Sequence, residues 1–197
     1  NSHLKVVSLF EGIERTAITH DGVHNGHVHH SDDLDPHIWL APHLVKKIVQ
    51  KITSALIVLD PLGKTIYECN LALLLDEIER TDHTIKERLK EIPKEAKMMV
   101  YHPSWGYFAD SYGLIQVPIE LSGKSPKISQ IRKFIHYVQK EKIKIIFVQK
   151  EFSNRAARMI ANSTDSKVKE ISALSENWSA NLIDVAQSIK ESYEASN

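Results

Sequence analysis

The chain has 197 residues, room for one large domain or two small ones, and 42% of it is apolar, enough for a real core. Its charges balance, 25 Lys and Arg against 25 Asp and Glu, which argues against a general nucleic-acid binder. No apolar run is long enough to cross a bilayer.

The first residues, His3-Leu4-Lys5-Val6-Val7-Ser8-Leu9, read as a strand from the middle of a protein, with no signal peptide before them. Residues 11 to 35 are polar and rich in Gly, His and Asp, the composition of a long exposed loop. From Asp35 a proline turn leads into Leu44 to Ile52, where the apolar positions recur at helical spacing. Asp60-Pro61-Leu62-Gly63 breaks that helix. Residues 65 to 92 predict a long helix of roughly 40 Å, with Leu71, Leu74, Leu75, Ile78, Ile85 and Leu89 as its apolar stripe. A helix of that length suits a strut between lobes, and Pro93 ends it. Cys69, the single cysteine, lies in it and reads as a small buried hydrophobe; it gives neither a disulfide framework nor a cysteine zinc site.

Beyond Pro93 strands and helices alternate. Strands are expected at Met98–Tyr101, Leu114–Ile119, Ile143–Val148 and Val168–Ile171. Helices are expected at 104–112, closed by Gly113, at 125–142 with Pro126 in the first turn, from a Ser153 cap to Asn162, and over 179–193. Repeated βα units predict an α/β fold with a mainly parallel sheet, helices on both faces, and a ligand site at the C-terminal ends of the strands.

Histidine is the unusual count, eleven in the chain. His102 follows directly on the first of these strands, at the edge where a ligand would sit. His37 lies in Asp35-Pro36-His37-Ile38-Trp39-Leu40, where Pro36 restrains the backbone and Asp35 or a backbone carbonyl can hold one ring nitrogen. His20, His24, His27, His29 and His30 share a loop with Asp, Gly and Asn. That loop is too pliant to preset a geometry, and its neutral imidazoles suit collecting a borderline metal. Its internal, interrupted pattern is unlike a purification tag. His43, His83 and His136 read as surface or packing residues on helices, and His3 carries no signal. No phosphate loop, nucleophile elbow or paired-histidine protease motif is present.

These pieces form an ordered set: the His-rich loop, Asp35 to Leu40, Asp60-Pro61 before a long helix, His102-Pro103-Ser104-Trp105-Gly106-Tyr107-Phe108, Tyr112-Gly113-Leu114, and Trp178-Ser179-Ala180-Asn181-Leu182. The set resembles the ZnuA/TroA-like metal-binding receptors of bacterial zinc and manganese ABC importers, a family with lipoprotein and adhesion-type members. The resemblance implies two α/β lobes joined by one long helix, with metal held between them. It makes residues 1–60 the end of the N-terminal lobe with the His-rich loop at 20–33, residues 65–92 the linking helix, and residues 94–197 the C-terminal lobe. It places metal ligands at His37 and His102 and puts the family's first ligand histidine upstream of this chain.

Two departures accompany the resemblance. Ser172 stands where the family usually has an aspartate, and Gln149 where many relatives have glutamate. Glu151 or Glu176 then become candidate substitute ligands, with Asp35 as a supporting partner. Losing a carboxylate favours Zn²⁺ over Mn²⁺, which prefers oxygen ligands. The implied protein is a non-enzymatic, monomeric, periplasmic or membrane-anchored receptor that hands zinc to an ABC permease and has no nucleic-acid partner. Two alternatives stand beside it: a metal-dependent hydrolase, and a metal buffer acting through the His-rich loop.

Overall fold

The computed structural model describes residues 4–18, 34–120 and 123–194. Ten regular elements follow in chain order: helices α1 (Pro42–Leu59) and α2 (Lys64–Leu89), strand β1 (Ala96–Val100), α3 (Gly106–Ser111), β2 (Leu114–Pro118), α4 (Ile128–Lys140), β3 (Ile145–Val148), α5 (Arg155–Asn162), β4 (Lys167–Glu170) and α6 (Trp178–Glu194). The four strands form one parallel sheet in the order β2-β1-β3-β4. Both faces are covered, as parallel strands require. The α/β expectation with a mainly parallel sheet is therefore met.

Side chains alternate across the sheet with period two. Ala96, Met98 and Val100 of β1 and Phe147 of β3 join a core with Ile85 and Leu89 of α2, Phe108 of α3, and Leu182, Val185 and Ile189 of α6. Met99 of β1 and Ile146 and Val148 of β3 face the other way, onto Ile131, Phe134 and Val138 of α4 and Ala157 and Ile160 of α5. The chain leaves β1 through α3 on the first face and reaches β3 through α4 on the second. The strand order reverses beside β1, so the crevice beyond its C-terminal end is where such sheets bind ligands.

Local chemistry sets several boundaries. Pro42 opens α1, where a missing N–H costs nothing. Asp60 turns the chain between α1 and α2: its carboxylate accepts from the Gly63 N–H at 3.3 Å and from the Tyr67 hydroxyl at 2.8 Å. Gly113, with φ +68°, closes α3 in the left-handed conformation that favours glycine.

Some expectations are corrected. Residues 4 to 8 pair with no strand among the described residues; Leu4 and Val6 are exposed, and the chain turns at residues 9 to 12. The helix expected from Ser125 begins at Ile128, because the Ser125 hydroxyl bonds Tyr101 and the Lys127 N–H is capped by Gln130 Oε1 at 2.7 Å. Asn154, not Ser153, stands before α5, and its side chain makes no cap bond. Cys69 is exposed. The stripe on α2 is buried only at Ile78, Ile85 and Leu89; Leu74 lies open and Leu71 and Leu75 are half-buried.

Candidate metal centre

Parallel pairing continues one step past the ends of the regular strands. The Glu120 N–H donates to the Tyr101 carbonyl at 2.9 Å, and the Tyr101 N–H to the Phe147 carbonyl at 2.8 Å. This register sets Glu120, one residue beyond Ile119, beside His102. Glu120 is almost wholly buried, and its Oε1 lies 3.1 Å from His102 Nδ1.

His37 is built from the other direction. Pro36 and a short 3-10 turn at Ile38–Leu40 bend the backbone so that Asp35 folds back on it. Asp35 Oδ1 accepts the His37 backbone N–H at 2.9 Å and meets His37 Nδ1 at 2.6 Å. Asp35 is itself buried, its carbonyl held by the Tyr107 hydroxyl at 3.1 Å. A Cβ on Gly106 would come within 2.9 Å of Asp35 Oδ2, so glycine leaves the room this carboxylate occupies.

Two tryptophans pin the His37 segment to the chain between β4 and the start of α6. Trp39 Nε1–H donates to the Ala173 carbonyl, and Trp178 Nε1–H to the Trp39 carbonyl, each at 2.7 Å. These bonds join residues more than 130 positions apart in sequence. They place His37 against His102, ring centroids 5.7 Å apart at 81°. His102 also stacks on Phe152, centroids 4.3 Å apart at 15°.

Two imidazoles thus meet with Nδ1 of each engaged by a buried carboxylate. A carboxylate at Nδ1 fixes the tautomer that carries its hydrogen there, leaves Nε2 with a free lone pair, and raises its basicity. Zinc–nitrogen bonds of about 2.0–2.1 Å in a tetrahedral site set two imidazole centroids roughly 5 Å apart, close to the spacing seen here. Beyond the pair, no group of three or more His, Cys, Asp or Glu side chains disposed to hold a metal occurs among the described residues.

Residues 1–192 match the family described as "Zinc-uptake complex component A periplasmic", ZnuA. The chain belongs to this family. It is 31% identical over 172 residues to the high-affinity zinc uptake system protein ZnuA of Bacillus subtilis (strain 168), covering 86% of this chain and 53% of that protein. It is 30% identical over 170 residues to the zinc-binding lipoprotein AdcA of Streptococcus pneumoniae, covering 84% of this chain and 33% of that one. A crystal structure of ZnuA superposes with a TM-score of 0.87 at 33% identity, covering 98% of this chain and 71% of that one. The chain therefore spans about half the length of its B. subtilis relative, or less of the other.

In this ZnuA-family chain the sequence candidates other than Asp35 make no hydrogen bond to either histidine ring among the described residues. The Gln149 amide nitrogen is committed to the Ser104 hydroxyl at 2.6 Å, and its buried carbonyl oxygen has no partner among the described residues. The Ser172 hydroxyl accepts the Leu174 N–H at 3.1 Å and so serves its own turn. Glu151 and Glu176 are exposed, and neither joins the pair in a three-ligand set. His20, His24, His27, His29 and His30 lie outside the described residues, as does His3. His43 is exposed at the α3 side, where partial burial and Lys47 lower its pKa; its ring meets the Ser111 hydroxyl at 3.3 Å. His83 and His136 are exposed on α2 and α4.

Sequence reasoning missed Glu120 and Phe152. Glu120 follows an apolar strand that ends at the ligand edge. A carboxylate there, one position beyond the core, was the available signal. Phe152 gave none, because its role depends on how the turn after β3 folds over β1.

Proposed function

We propose that this chain carries part of the capture site of an extracytoplasmic zinc receptor, which passes the ion to an ABC-type permease. One observation carries the reading: two imidazoles in contact, each with Nδ1 held by its own buried carboxylate. That arrangement orients two imidazole nitrogens as donors, the ligand type that suits zinc better than manganese. The names of the relatives, a zinc uptake protein and a zinc-binding lipoprotein, support the same metal and a location outside the cytoplasm.

His37 and His102 are the ligands in this reading, and Asp35 and Glu120 orient them. With the Ser172 hydroxyl turned to the Leu174 N–H and no third His, Cys, Asp or Glu grouped with the pair among the described residues, the pair is half of a zinc shell, which asks for four donors or three and a water. The remaining donors come from upstream sequence, as the family resemblance implies, or from solvent. The division into an N-terminal lobe end at 1–60, a linking helix and a C-terminal lobe from 94 belongs to the same reading. So do a monomeric state and a non-enzymatic role. Both carboxylates beside the pair are engaged at Nδ1, so neither stands free as the general base a hydrolase would need.

Zinc titration against a competing chelator tests this. One ion per chain should bind at the pair, and His37→Ala with His102→Ala should weaken binding by about 100-fold or more, since even loss of supporting partners typically costs 10- to 100-fold. Deleting residues 20–30 should leave that site intact. Unchanged affinity in the double variant would sink the assignment. Several weak ions lost on the loop deletion would point to a buffer instead.

A further inference from the structure

The two histidines are held differently. The His37 ring bonds Asp35 at 2.6 Å, its own backbone N–H shares the same carboxylate oxygen, and the next residue but one, Trp39, is clasped by Ala173 and Trp178. His102 has a single, longer bond to Glu120 at 3.1 Å and a more exposed side chain, 24% against 14% for His37. One hydrogen bond at Nδ1 fixes a point on the ring but not its plane. The imidazole can still pivot about that contact and swing Nε2 away.

What stops the pivot is Phe152. Its ring lies nearly flat on His102, 4.3 Å away at 15°, and is held from behind by a turn whose N–H donates to the Gln149 carbonyl at 3.3 Å. It also leans on Tyr101, 6.3 Å away at 38°. Offset aromatic stacking constrains a ring plane in a way an aliphatic neighbour does not. We propose that Phe152 is a positioning residue for the ligand His102, keeping its plane, and so Nε2, aimed at the metal. The proposal rests on His102 being a ligand.

Three variants in the full chain test it: Phe152→Leu, which keeps apolar volume without a ring, Phe152→Tyr, which restores the ring, and His102→Ala. In metal-free protein, the wild-type His102 ring protons should resonate upfield of an unstacked histidine. Phe152→Leu should move them downfield while leaving His136 in place. Zinc affinity should fall about 3- to 10-fold in Phe152→Leu, the range one aromatic contact spans, and recover in Phe152→Tyr. His102→Ala should cost more than either. Unmoved His102 resonances, wild-type affinity in Phe152→Leu, or equal losses in Phe152→Leu and Phe152→Tyr would each overturn the role of Phe152. If His102→Ala weakens binding in the first of these cases or the second, the ligand assignment survives without Phe152. If His102→Ala binds zinc as the wild type does, the ligand assignment falls, and the role of Phe152 with it.

Discussion

The two halves of α2 carry similar residues and meet different fates. The C-terminal half buries Ile78, Ile85 and Leu89, and Thr81 bonds Ser179 of α6 at 2.6 Å. The N-terminal half leaves Ile66 63%, Leu73 70% and Leu74 40% exposed, and the facing end of α1 leaves Val58 and Leu59 open as well. A groove of about 680 Å³, lined by Trp39, Ile48, Leu74 and Trp178 among others, marks the border between them. Amphipathic spacing makes the helix in both halves, but only a second layer makes it stable in place. The sheet and α6 supply that layer at one end. The histidine pair belongs with this closed part, because the Trp39–Trp178 clasp ties the His37 segment to it.

Core truncation should separate the two regions most sharply. Phe108→Ala, in the core between the sheet and α6, is expected to cost about 3–5 kcal/mol in urea unfolding, whereas Leu73→Ala should stay within about 0.5 kcal/mol. A comparable loss at Leu73 would mean that the open half of α2 is covered in solution. Next in size is the clasp. Trp178→Phe keeps the ring and removes one hydrogen bond to the Trp39 carbonyl, which is expected to lower stability by about 1 kcal/mol. It should also weaken zinc binding, because the His37 segment loses an anchor. Loss of stability with full zinc affinity would show that the clasp does not reach the site.

Hydrogen exchange should grade the same contrast without mutation. Amides of β1 and β3 should exchange only on global unfolding, and those of the first turns of α2 through local opening at lower free energy. Uniform protection along α2 would erase the distinction.

The smallest effect is electrostatic. Partial burial, followed by the nearby Asp35 charge, holds the Asp110 carboxyl above the usual carboxylate range. The native state then keeps that proton longer than the unfolded chain. The resulting stability is present below the ordinary carboxylate pKa of about 3.9 and is lost as pH rises through the raised value. Asp110→Asn should therefore match the wild type near pH 3 and be slightly more stable at pH 7, by no more than about 0.5 kcal/mol. A gain confined to low pH would reverse the sign.

The sequence made the parallel βα half legible because its strands are short apolar runs with turn residues between them and its helices have clear periods. It was less informative before residue 40. Val6 and Val7 look like strand residues, yet strand identity depends on a neighbour to pair with, and periodicity says nothing about neighbours. The α2 stripe misled in the same way: Leu74 and Ile78 are one turn apart and chemically alike, and only packing distinguishes them. At the site, His37 and His102 were visible from their motifs and their place at a strand end. Their contact depends on hydrogen bonds spanning more than 130 residues, and Glu120 and Phe152 enter through register and a turn.

A long-range ¹H–¹⁵N spectrum of the histidine rings, recorded before and during zinc addition, bears on the pair itself. Metal-free His37 and His102 should both carry hydrogen on Nδ1, where Asp35 and Glu120 accept it, and the Nε2 signals of both should shift together, saturating at one zinc per chain. A shift confined to one of the rings, or absent from both, would contradict a shared site.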